Sequence, residues 1–344
     1  MKQLQIILLL VLLCGSAQAQ RRYYDPVFTD VNVQTNITYG VNASVLELSV
    51  AMQAIPKALK MNVYTPAGDT ATNRPLVIIM HTGNFLPPTF NGGCSGTIFD
   101  ATDVAVATRL AKMGYVAAVA DYRIGWNPIA STQTERVFTL INAAWRGVQD
   151  SRTCIRYFNK DNATDNVFKI DPDKITLWGI GTGGYISLNS AALDTVTDTY
   201  IPKFLTAQGP MVIEPVNGNV DATSVGVTFP GYPGFPAGDT LCYPNHVGFS
   251  SKFGLAVNLG GALGLGSVSG ISDAPGGAVR GITLAPEQRE LYETIRATMH
   301  ARVKQGIAQR GMAQSHVLVL DALRPQRVQE ALWAALQGTP LLGY

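Results

Sequence analysis

The stretch Ile175-Thr-Leu-Trp-Gly-Ile-Gly-Thr-Gly-Gly-Tyr185 decides the fold. Its first four residues are apolar or β-branched, as a strand covered on both faces requires. Gly179, Gly181, Gly183 and Gly184 follow, and Tyr185-Ile-Ser-Leu-Asn-Ser-Ala-Ala-Leu193 then reads as a helix. A strand that passes into a helix through so few residues needs a sharp turn, and glycine permits both the turn and close backbone approach. Two registers are open for the apex. The first places Gly181 there, without a side chain. Shifting by one places Thr182 there, with Ile180 where the first glycine would stand.

Upstream, Leu76–Met80 and Tyr115–Asp121 are continuous apolar runs suited to strands buried on both faces. Val104–Met113 between them has helical spacing and stops at Gly114. From Val137 to Phe158 apolar residues recur at 137, 140, 141, 144, 145, 148, 155 and 158, the period of a helix. Asp171-Pro172 is read as a turn before the strand Lys174–Trp178. Strand and helix alternating at this spacing predict a mostly parallel sheet of the α/β class. Val45–Met52 and Leu59–Tyr64 are expected as an antiparallel entry, and Gly254–Gly261 as one more parallel strand. The Gly- and Pro-rich segment 216–249 is expected as a long loop or cap over the glycine turn.

Length and composition set the bounds. A chain of 344 residues with 47% hydrophobic residues has room for a large buried sheet. A net charge of +2 gives no reason to expect nucleic acid or a membrane surface as partner. Lys2, the apolar run Ile6–Leu13 and Ala17-Gln-Ala19 have the order of a secretory signal cleaved after Ala19, which implies a secreted or periplasmic protein. The run is too short to span a bilayer, so no transmembrane segment is expected in the mature chain. Cys94, Cys154 and Cys242 would remain. Cys94 and Cys242 stand in loop-like sequence and are the expected pair, with Cys154 a buried small apolar residue on a helix face. Asn36, Asn42 and Asn162 begin Asn-x-Ser/Thr triplets, to which no function is assigned.

Four motifs in order resemble the secreted carboxylesterase/lipase branch of the α/β-hydrolase superfamily, over residues of about 55 to 263. They are His81-Thr-Gly-Asn-Phe85, similar to the His-Gly-Gly-Gly-Phe oxyanion loop; Asp121-Tyr-Arg123; the helix Trp145–Phe158 with Asp150; and the 175–185 turn, similar to the Gly-x-Ser-x-Gly nucleophile elbow. The resemblance implies an ester hydrolase acting through an acyl-enzyme on a small or polymeric ester, with no cofactor and no metal. Backbone N–H groups of Gly83 and Asn84, with Thr182 or Gly183 according to register, would form the oxyanion hole, worth roughly 3–4 kcal/mol.

The nucleophile is the weak point. The family pattern puts serine where Gly181 stands, and Thr182 is the only hydroxyl beside it. A hydroxyl needs a base, and the triad order is nucleophile, acid, histidine. His81 belongs to the loop before the elbow, and His246 precedes the strand Gly254–Gly261. His300 and His316 follow in dissimilar sequence, and Asp273 has no clear strand before it. Two expectations therefore stand together: a hydrolase using Thr182, and a catalytically inactive binding protein on the same fold.

After Gly266 the sequence changes character. Residues 267–283 read as a junction, and 284–344 as a small helical tail with an apolar stripe at Leu291, Ile295, Met299, Val303 and Ile307. Leu284–His300 and Arg310–Leu323 resemble part of bacterial Swi/Snf-type helicase-like ATPases, which would imply association with nucleic acid. The chain has no phosphate-binding Gly-x-x-x-x-Gly-Lys-Ser/Thr loop, so no ATPase is expected. The expected organisation is a signal at 1–19, a hydrolase-like domain at 20–266 truncated at its C-terminal side, and the tail. A hybrid or truncated reading frame joined within 264–281 would produce it.

Overall fold

The computed structural model describes residues 22–93 and 95–261. Six strands form one sheet: β1 (Val31–Ser44), β2 (Ile55–Pro66), β3 (Arg74–Met80), β4 (Val116–Ala120), β5 (Ile170–Ile180) and β6 (Leu255–Leu259). Their spatial order is β1-β2-β4-β3-β5-β6. β1 and β2 pair antiparallel, as do β2 and β4, while β4, β3, β5 and β6 run parallel. The long helices among the described residues are α1 (Ala101–Lys112), α2 (Gln133–Ala163) and α3 (Thr182–Ala192). This is a mostly parallel α/β sheet.

Alternation along the central strands divides the core in two. Leu76, Ile78 and Met80 of β3, Val116 and Ala118 of β4, and Leu177 of β5 face α2 and α3, where they meet Trp145, Val148, Ile155, Phe158 and Ile186. Val77, Ile79, Ala117, Val119 and Trp178 face the other way onto Ala107, Leu110 and Ala111 of α1. All twelve residues of β3 and β4 are buried, which is why both read as unbroken apolar runs. Full burial of each large aliphatic side chain is worth about 1.5–3 kcal/mol. α2 starts where Thr132 accepts from the Glu135 N–H at 3.2 Å, one half of a Thr-x-x-Glu box.

Two expectations are corrected. Val45–Met52 is not a strand: it holds a four-residue helical turn, Leu48–Ala51, and the first strand is the preceding Val31–Ser44. As the outer strand of the sheet, β1 leaves Asn32–Thr35 exposed and carries no alternating apolar signal. Asp171-Pro172 lies inside β5, where a register shift lets 171–174 bulge outward; proline is tolerated because no partner there needs its N–H. The segment 216–249 is anchored on α2 and β1. Gln149 on α2 donates to the carbonyls of Asn217 and Asn219, Arg152 binds Asp221, and Val41 donates to the Asn245 side chain.

Cys154 is fully buried, and Cys242 is a buried free thiol. Cys94, the signal segment, the junction and the tail with its helicase-like stretch lie outside the described residues.

Candidate active site

Parallel pairing brings the sequence motifs together. Met80 on β3 stands opposite Gly179 on β5 and opposite Ala120 on β4. The residues just past those pairs therefore share the C-terminal edge of the sheet, the side at which open α/β sheets bind ligands. His81 meets Asp121 there, and Thr82 meets Gly181.

The turn after β5 has Gly181 at its most strained point. Gly181 has φ 53° and ψ −112° and precedes the first helical residue, Thr182. That conformation is sparsely populated for any residue with a Cβ. Its N–H donates to the Leu259 carbonyl at 2.7 Å, and its own carbonyl accepts from Gly184 at 2.9 Å. A Cβ on Gly179 would lie 1.9 Å from the Gly183 carbonyl oxygen, and one on Gly183 would lie 1.9 Å from that of Met80. The outer glycines are thus dictated by backbone contact, as the Gly-x-Ser-x-Gly pattern requires. Gly181 occupies the apex, where serine stands in that pattern.

Thr182 sits one residue into α3 and is buried. Its Oγ1 accepts the Asn84 N–H at 2.7 Å. The N–H expected to serve an oxyanion is therefore engaged by the hydroxyl expected to attack. Asn84 is held on both sides: its side chain donates to the Asn91 carbonyl, and its carbonyl accepts from the Trp126 indole at 2.8 Å. Asn84 and Phe85 both have positive φ, and Gly83 has φ 129°. Gly183 lies buried in the first turn of α3.

His81 is buried, stacked on Tyr122 at 4.5 Å between ring centres. Its Nδ1 lies 2.5 Å from the Thr82 carbonyl, and its Nε2 lies 3.3 Å from the Asp121 carboxylate. Burial works against the charged ring, but Asp121, the Thr82 carbonyl and the field of Asp103 outweigh it and raise its pKa. Two acceptors at two ring nitrogens suit an imidazolium, which donates at both. Burial pushes the Asp103 carboxyl up to about 6, against the opposing field of His81. His246 bonds the Tyr39 carbonyl at 2.7 Å and packs on Tyr157. The hydrogen bonds of both histidines thus go to groups other than the threonine hydroxyls.

Of Asp121-Tyr-Arg123, Arg123 forms a buried unit with Asp150. The Arg123 backbone N–H and Nε donate to Asp150 at 2.7 to 3.0 Å, and its Nη2 reaches Gln149. Among the described residues no group of three His, Cys, Asp or Glu could hold a metal, and no helix is long and apolar enough to cross a membrane.

Thr82 is the residue that sequence reasoning passed over. Its Oγ1 lies 2.3 Å from the point where a Cβ on Gly181 would stand. The signal was a pair of departures from the pattern: threonine for glycine in the loop, glycine for serine at the turn.

No family model matches the chain, and neither does any curated protein. Among solved structures it is similar to esterase B from Lactobacillus rhamnosis (HN001), at 19% identity over 56% of this chain and 47% of that one, with a TM-score of 0.30. It is also similar to Thermogutta terrifontis esterase 2 phosphonylated by cyclosarin, at 21% identity over 51% of this chain and 50% of that one, with a TM-score of 0.28. The chain spans about half the length of these esterases.

Proposed function

We propose that the protein is an exported α/β-hydrolase-fold member of the carboxylic-ester hydrolase lineage that binds an ester at its elbow and forms no acyl-enzyme there. The lineage rests on the elbow backbone: an apex with φ 53° and ψ −112° between two glycines that tolerate no Cβ. The absence of acylation rests on one observation above the rest, the 2.7 Å bond from the Asn84 N–H to Thr182 Oγ1. A nucleophile must be free to attack, and an oxyanion donor must be free to receive charge. Here the two satisfy each other, and Gly181 offers nothing in their place. The ligand would be a small or polymeric ester whose carbonyl docks beside the half-exposed Gly181 and Thr82.

The test is release of nitrophenolate from p-nitrophenyl butyrate by the purified full chain beside Thr182→Ala. No release above buffer is expected from either protein. Turnover by the parent that disappears in Thr182→Ala would overturn the proposal and establish Thr182 as the nucleophile. Export is checked separately by the mature N-terminus, expected at Gln20.

A further inference from the structure

We propose that Thr82 carries the hydroxyl of the elbow, and that Thr82 and Gly181 are an exchanged pair in which only one position can hold a side chain. Strand register puts both residues two positions past the Met80–Gly179 pair, so the two backbones face each other across the turn. An ideal Cβ at 181 would stand 2.3 Å from Thr82 Oγ1 and 3.1 Å from Thr82 Cβ. The first distance is far inside van der Waals contact. Rotating the hydroxyl away would still leave the second, which is itself tight. The space that an elbow side chain would fill is therefore taken from the opposite loop.

The exchange has a chemical consequence. An elbow serine springs from the strained apex, with the backbone N–H groups of the helix start at its side. Thr82 instead hangs from the loop after β3 and is half-buried, with Gly181 beside it half-buried as well. The histidine next to it in sequence sends both ring nitrogens to other acceptors. With neither histidine of the described residues bonded to it, this hydroxyl acts as a hydrogen-bond partner for a docked carbonyl and forms no covalent bond. The ligand half of this inference rests on the ester-binding reading above; the steric half stands independently.

Two measurements test the halves separately. The first is a thermal double-mutant cycle on the full chain with Gly181→Ala, Thr82→Gly and the double variant. Gly181→Ala is expected to lower Tm by roughly 5–15 °C, through backbone strain and overlap together. The double variant is expected to lose less than the sum of the singles, because the overlap is gone while the strain remains. Additive losses would overturn the pair. Should Gly181→Ala fail to fold, recovery of a cooperative transition in the double variant serves as the same evidence.

The second measurement is an NMR titration of ethyl butyrate into the parent, Thr82→Val and Thr82→Ser. Loss of the hydroxyl in the near-isosteric valine is expected to weaken binding about fivefold, and serine is expected to restore it. Equal binding by parent and Thr82→Val would overturn the hydroxyl's role and leave the ester reading standing. No binding by the parent would overturn the ester reading together with that role, while the thermal cycle would still judge the pair.

Discussion

The turn at Gly181 and the ion pair between Arg123 and Asp150 lie in the same packed sheet and helices, yet opposite means hold them. Arg123 and Asp150 are almost fully buried charges, and each is answered: Arg123 spends its donors on Asp150, Gln149 and the Leu241 carbonyl. The elbow has no charge of its own. Backbone contacts between small residues hold it, with a Cβ on Gly183 or Gly179 only 1.9 Å from a carbonyl oxygen. The two regions fail in different ways. A buried charge cannot lose its partner, whereas a close-packed backbone cannot gain an atom. A nucleophile is a different requirement from either, so the turn can hold its shape with no side chain at its apex.

That difference is broken most severely at Asp150. Asp150→Ala leaves the Arg123 guanidinium buried without its counter-charge, and breaking such a pair costs about 3–5 kcal/mol. Chemical denaturation should show the loss. A variant within 1 kcal/mol of the parent would mean that Arg123 reaches water and that the pair is not a closed unit.

Gly183→Ala probes the other mode. The added methyl overlaps the Met80 carbonyl oxygen, and the His81 carbonyl oxygen lies at 2.9 Å. Overpacking of this kind costs about 3 kcal/mol at the upper end of its usual range. Because both obstacles belong to the backbone of one strand end, no rotamer change relieves them. A neutral Gly183→Ala would show that α3 shifts away from β3 without loss, which would remove the case for a rigid elbow.

The sequence shows the elbow well and the ion pair only in outline, and the reason is physical. A glycine forced by contact appears as a glycine, so Gly179, Gly183 and Gly184 announced the turn. Strands buried on both faces appear as apolar runs, so β3 and β4 were legible with their boundaries nearly right. β1 was missed because an outer strand with exposed faces needs no pattern, and Asn32-Val-Gln-Thr35 looks like loop. The role of Asp150 depends on Arg123, 27 residues away across a strand-to-helix crossover, and no local period records such a pairing. Two registers stayed open at 181 and 182 because both suit a glycine cluster; backbone dihedrals alone distinguish them. Thr82 was missed because a hydroxyl in a loop is ordinary until its distance from a vacant Cβ position is known. The segment 216–249 read only as a long loop or cap since its Gly and Pro content describes irregular chain, whereas its anchors are single side chains such as Gln149 and Arg152.

The smallest expected effect lies between the two regions, at His81, a titratable ring beside the elbow. Its ring faces Asp121 and the Thr82 carbonyl, with Asp103 contributing through its field. The folded pKa is raised above the ordinary 6.5. The stability this gives is therefore complete below about that value and is lost as pH rises through the folded pKa. Asp103, with its own pKa near 6, is ionised over most of that window and favours the charged ring. Melting curves of the parent and His81→Gln at pH 6, 7, 8 and 9 should show the parent's advantage shrinking as pH rises. An advantage that stays constant or grows would mean that the ring is neutral throughout. His81 would then join the elbow's shape-based packing, and the contrast with Arg123–Asp150 would be complete.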